Sequence, residues 1–176
     1  MMDVGGSMDP HSRLCERLFS AAHAASHFKT FSSRYFHNCP YGRVWTDMEQ
    51  GDGEPTADLL KRLDASWTLI FVGDAWMSPF ELTHAGGAIA LDHQNRDTGL
   101  DWLRRFRDRC PRSVWLNPEP RRIWSAPSIE LVRRHFPMFE LTLDGLRDAV
   151  DTLCGRRAEE PIEARAGEIR LPAFVH

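Results

Sequence analysis

Lysine is almost missing from this chain. Only Lys29 and Lys61 occur among its 22 basic residues, and the rest are arginines. Neither lysine lies in a glycine-bearing loop and no P-loop is present, so a ready-made phosphate cradle is not part of the design. Long apolar runs are missing as well: none approaches the roughly 20 residues that span a bilayer. The N-terminus lacks the basic start and apolar stretch of a secretory leader, and the expected location is the cytoplasm. Cys15, Cys39, Cys110 and Cys154 form no CxxC pair and no Cys/His zinc spacing. Three of them adjoin apolar helical positions and are expected to be buried free thiols. A formal net charge of −3 does not favour a general attraction to nucleic acid or anionic membrane. Arg104, Arg105, Arg107, Arg109 and Arg112 are expected to spread over a solvated helix face.

What is present reads as one α/β domain, since 176 residues leave room for one sizeable core. Leu14, Cys15, Leu18 and Ala22 predict a helix from Pro10 to about residue 26, with Asp9 as its cap. Phe28 to Asn38 reads as a strand and "RVWT" as a short returning one. "DMEQGDGEP" reads as a polar loop, leading into a helix over "ADLLKRL". The continuous apolar runs "WTLIFV" and "SVWLNP" predict parallel strands covered on both faces. Helices carrying Leu100, Leu103, Phe106 and Cys110, then Ile129, Val132 and Phe136, alternate with them. "MFELT" gives a last strand, and Leu143, Leu146, Val150 and Leu153 a last helix. Such alternation predicts a Rossmann-like, doubly wound, mostly parallel sheet. The domain is expected over residues 1–154, with 155–176 a charged, disordered tail.

In an open parallel sheet, ligands bind beyond the carboxyl ends of the strands. Three loops are expected there: one with Asp3, Gly5 and Ser7, one delivering Thr56 to a helix start, and one running from Gly73 through Asp74 to Pro79. Two carboxylates and several hydroxyls suit a hard cation such as Mg²⁺. Each residue taken alone reads more readily as a helix cap, and it is their joint placement at successive strand ends that points to a site.

"DVGGSM" resembles the metal-adhesion motif of von Willebrand factor type A domains. "LIFVGDAWMSPFEL", "VWLNPEPRRIW" and "FPMFELTLDGLRDAV" resemble that family's bacterial CoxE-like branch, and the likeness runs from Asp3 to Leu153. It implies strand order 3-2-1-4-5-6 and a divalent-cation site, filled by Mg²⁺ or Mn²⁺, on the upper sheet edge. Carried over, Asp3, Ser7, Thr56 and Asp74 are the metal ligands, and a partner protein's carboxylate completes the shell. It further implies work beside a MoxR-type AAA+ ATPase in maturing or assembling another enzyme, with no catalytic turnover of its own. Gly5 departs from the pattern, which has serine there. The strand before Asp3 is the central one and calls for about five apolar residues. Only Met1 and Met2 precede Asp3, so a largely missing first strand and an N-terminally truncated, marginal domain are expected.

Two other readings compete. One is a Mg²⁺-dependent phosphoryl-transfer enzyme with Asp3 as nucleophile. The other is a structural module whose metal site has decayed. Trp76 is either an exposed partner anchor or a ring packed over the strand ends. His37, Asn38 and Cys39 read as turn residues, His84 and His93 as loop histidines, and Trp115 and Trp124 as packing.

Overall fold

The computed structural model describes residues 1–24, 30–87 and 96–158. Seven strands form one sheet: β1 (Met2–Asp3), β2 (Tyr35–Phe36), β3 (Arg43–Trp45), β4 (Gly53–Pro55), β5 (Leu69–Val72), β6 (Ser113–Asn117) and β7 (Met138–Glu140). Their spatial order is β4-β3-β2-β1-β5-β6-β7. Pairing is parallel from β2 through β1, β5 and β6 to β7, and antiparallel at β2–β3 and β3–β4. The helices are α1 (Ser12–Ala24), α2 (Thr56–Arg62), α3 (Pro79–Thr83), α4 (Gly99–Arg109), α5 (Pro127–Arg133) and α6 (Leu143–Leu153). A Rossmann-like α/β sheet therefore stands.

Period-two alternation divides the core between the two faces. In β5, Leu69 and Phe71 join one apolar cluster, while Ile70 and Val72 join the other. Trp115 of β6 faces the first cluster, and Val114 and Leu116 face the second. Leu59 and Leu60 of α2, Leu103 and Phe106 of α4, and Ile129 and Val132 of α5 cover the first face. Cys15 of α1 and Ala149 of α6 cover the other. At the centre, the Phe71 and Trp115 rings stack at 5.0 Å and 8°, edged by Phe36, Phe106 and Phe136. Both faces are buried, which is why these strands read as unbroken apolar runs.

Several expectations shift. Within "FKTFSSRYFHN" only Tyr35–Phe36 is strand, and residues 25–29 lie outside the described residues. The end of the polar loop is itself a strand, β4, paired to β3 from Trp45↔Gly53 to Arg43↔Pro55. Pro10 sits in a 3-10 turn, Gly6–His11, that precedes α1, and no side-chain cap from Asp9 forms there. Leu14 of α1 and Leu143 of α6 are exposed, while α6 packs through Leu146, Ala149 and Leu153. The tail from residue 159 and His93 fall outside the described residues. No helix among the described residues is long and apolar enough to cross a membrane.

Strand β1 has two residues and still joins the sheet on both sides. The Met2 and Val4 amides donate to Arg34 O and Phe36 O at 2.8 and 2.9 Å. The Val72 amide donates to Met1 O, and the Met1 amino group to Ile70 O, both at 2.9 Å. β2 and β5 thus keep their shared neighbour.

Candidate metal centre

Asp3 ends β1, and Asp74 follows β5 by two residues, so neighbouring parallel strands deliver both acids to the carboxyl edge. The double reversal at β3 and β4 makes β4 run parallel to β2, and Thr56 follows β4 directly. Thr56 therefore starts α2 on that same edge. Ser7 lies in the 3-10 turn after β1 and is exposed.

Asp3 and Asp74 are 3% and 2% exposed, and they lie close enough for their charges to interact. Asp3 Oδ1 accepts the Asn38 amide at 2.9 Å. Asp74 Oδ1 accepts the Trp76 amide at 2.9 Å, so part of its capacity goes to capping its own turn. Its other oxygen, Oδ2, is buried and has no hydrogen-bond partner among the described residues, and the same holds for Thr56 Oγ1. Burial above all, then the Asp74 charge, pushes the Asp3 carboxyl well above the usual carboxylate range, against the pull of the Asn38 and Val4 amides. An ionised Asp3 is thus a strained state that a cation would relieve, and the two orphaned oxygens are hard donors of the kind Mg²⁺ takes. Two carboxylates and hydroxyl oxygens are the donor types a divalent cation takes.

The surroundings are built to hold these acids. Gly73 is tight against Asp3: a Cβ there would lie 2.9 Å from Asp3 Cβ and 3.3 Å from Oδ2. The Trp115 indole donates to Gly73 O at 2.7 Å, and Asn117 Nδ2 to Asp74 O at 2.8 Å. Asn38 and Ala75, each next to a buried acid, hold left-handed backbone at φ 57° and 54°. Such conformations in non-glycine residues gather at functional sites. Gly5 has φ 82° and ψ 171°, a region essentially reserved for glycine. A serine there would be strained. The His37 ring covers this loop, its Nδ1 2.8 Å from Val4 O.

Asp3 and Asp74 are brought together. Thr56 shares their edge without a hydrogen bond to either, and Ser7 sits on the exposed rim. Among the described residues, no group of three or more His, Cys, Asp and Glu has metal-holding geometry. The expected set contains two such residues, Asp3 and Asp74, beside two hydroxyls. Sequence reasoning missed Glu81, a third buried acid at 2% exposure on α3, whose charge also reaches Asp3. Its signal was an acid between Phe80 and Leu82 in the otherwise apolar "MSPFEL". Trp76 is 51% exposed beside Asp74, and Phe80, at 39%, stacks on His84 at 4.1 Å. Trp115 and Trp124 are buried as packing. No family model, no curated protein and no solved structure matches the chain.

Proposed function

We propose that this chain is a divalent-cation-dependent protein-binding module of the von Willebrand factor type A kind. The observation that carries the reading is the pair of buried carboxylates at adjacent strand ends, with Asp74 Oδ2 and Thr56 Oγ1 left without hydrogen-bond partners. Asp3, Asp74, Thr56 and Ser7 would hold Mg²⁺ or Mn²⁺. The cation supplies a Lewis-acidic position that a partner's carboxylate can occupy. Asp3 and Asp74 balance its charge, and the hydroxyls of Thr56 and Ser7 contribute neutral oxygen. Trp76, anchored through its amide to Asp74, offers an aromatic surface beside the contact. By its resemblance to the CoxE-like branch, the chain serves with a MoxR-type AAA+ ATPase in maturing or assembling another enzyme.

Calorimetric titration with Mg²⁺ and Mn²⁺ tests the site, and Asp74→Ala is expected to abolish binding. Interferometry with a MoxR-type ATPase tests the partner, with association expected in Mg²⁺ and lost in EDTA. Equal binding of metal by wild type and Asp74→Ala overturns the site. Equal association with and without metal overturns the cation-bridged contact.

A further inference from the structure

The described residues hold a buried acid that the proposed ligand set does not use. Glu81 lies on α3, fully enclosed beside Leu82. Its Oε1 accepts the Tyr41 hydroxyl at 2.8 Å, and its Oε2 accepts Asn38 Nδ2 at 3.1 Å. Asn38 in turn donates its backbone amide to Asp3 Oδ1 at 2.9 Å. Tyr41 and Asn38 belong to the loop after β2, and Glu81 to the segment after β5. These are the two strands that flank β1, so the Glu81–Asn38 contact closes over the end of the strand that carries Asp3. A carboxylate only accepts hydrogen bonds, so it fixes the Asn38 amide group with its NH₂ inward. Asn38 has left-handed backbone, at φ 57°. Burying a carboxylate is costly unless hydrogen bonds compensate it.

Resting on the cation-site reading above, we propose that Glu81 is a positioning residue of that site: through the Asn38 side chain it sets the backbone amide that aims the Asp3 carboxylate. Supports of this kind behind metal ligands commonly tune affinity tenfold or more.

Mn²⁺ titration of the full chain tests this in a double-mutant cycle. Glu81→Gln is expected to weaken Mn²⁺ binding by about tenfold. Asn38→Gly keeps the amide and the left-handed backbone but removes the side chain that Glu81 holds, and it is expected to weaken binding comparably. In the Asn38→Gly background, Glu81→Gln should then add nothing, an outcome that general destabilisation does not produce. Near-wild-type affinity for Glu81→Gln, or losses that multiply in the double variant, overturns the positioning role alone. Failure of the wild-type chain to bind Mn²⁺ overturns the cation site and this role with it. If Glu81→Gln does not fold, Tyr41→Phe carries the test, since it keeps the ring and removes one donor to Glu81. A several-fold loss of affinity is then expected, and unchanged affinity overturns the role.

Discussion

Replacing Asp3 by asparagine should make the metal-free chain more stable while removing its response to metal. Asp3 is enclosed beside Asp74, and its ionisation is opposed by burial and by that neighbouring charge. Asparagine keeps the shape and the acceptor for the Asn38 amide, and its NH₂ can donate towards Asp74 in place of a like charge. Like charges 4 Å apart repel by about 4 kcal/mol at an effective dielectric constant near 20. Proton uptake relieves part of this in the wild type, so a gain of about 1–3 kcal/mol is expected for Asp3→Asn in EDTA near neutral pH. The pH dependence has a definite sign. The folded Asp3 holds its proton more tightly than the unfolded one, whose value is near 3.8. Its contribution is fully present below that value and is lost as pH rises through the raised folded value. The advantage of Asp3→Asn should therefore vanish in acid and grow towards neutrality. Mg²⁺ at about 100 times its dissociation constant adds about 2.7 kcal/mol to the wild type alone. For a chain of this size that is roughly 5–11 °C in Tm. Urea and thermal melts followed by circular dichroism, with and without Mg²⁺, read all three quantities. A variant less stable than wild type in EDTA, or one with an undiminished Mg²⁺ shift, refutes the reasoning.

Thr56→Val should be neutral or stabilising by up to about 1 kcal/mol in EDTA, because it removes a buried hydroxyl without a partner, yet it should weaken Mn²⁺ binding; paired urea melts and titrations decide this. Gly73→Ala drives a Cβ into Asp3 and is expected to cost about 1–3 kcal/mol and to impair metal binding, with the midpoint of urea unfolding as the measure. Burial, aided by Arg104 and Arg134, holds the His135 imidazole down at about 4. Its contribution is present above pH 6.5 and lost as pH falls towards 4, so His135→Phe should flatten the acid side of the stability profile.

The alternation of elements was legible because both faces of the sheet are covered. The largely apolar "WTLIFV" and "SVWLNP" match strands buried on both faces. The position of Asp74 at a strand end followed from the first of those runs, and that of Asp3 from the glycine-bearing stretch "DVGGSM". The strand β4 was not legible, since Gly53, Glu54 and Pro55 have the composition of a turn and become a strand only through pairing with β3. That pairing sets the direction of the chain before Thr56, and so places Thr56 on the edge that carries Asp3 and Asp74. Of the four apolar positions that marked α6, Leu146 and Leu153 pack on the core, while Leu143 and Val150 are exposed and the small residues Gly145 and Ala149 complete the buried face. Glu81 and Asn38 could not be linked from sequence, because 43 positions separate them and only the crossover through β1 and β5 brings their loops together.

The brevity of β1 bears on how the sheet breathes. A pair of residues, held by a few backbone hydrogen bonds to each side, carries the ladder that joins the β2–β4 half of the sheet to the β5–β7 half. Segments with so few bonds open at free energies below that of global unfolding. The amides of Met2, Val4 and Val72 should therefore exchange with deuterium ahead of those in β6. Since Asp3 is carried on this seam, a ligand drawing Asp3 and Asp74 together would staple both halves and slow exchange at the three amides at once. Occupancy of the edge would then be readable in the protection of the strands beneath it.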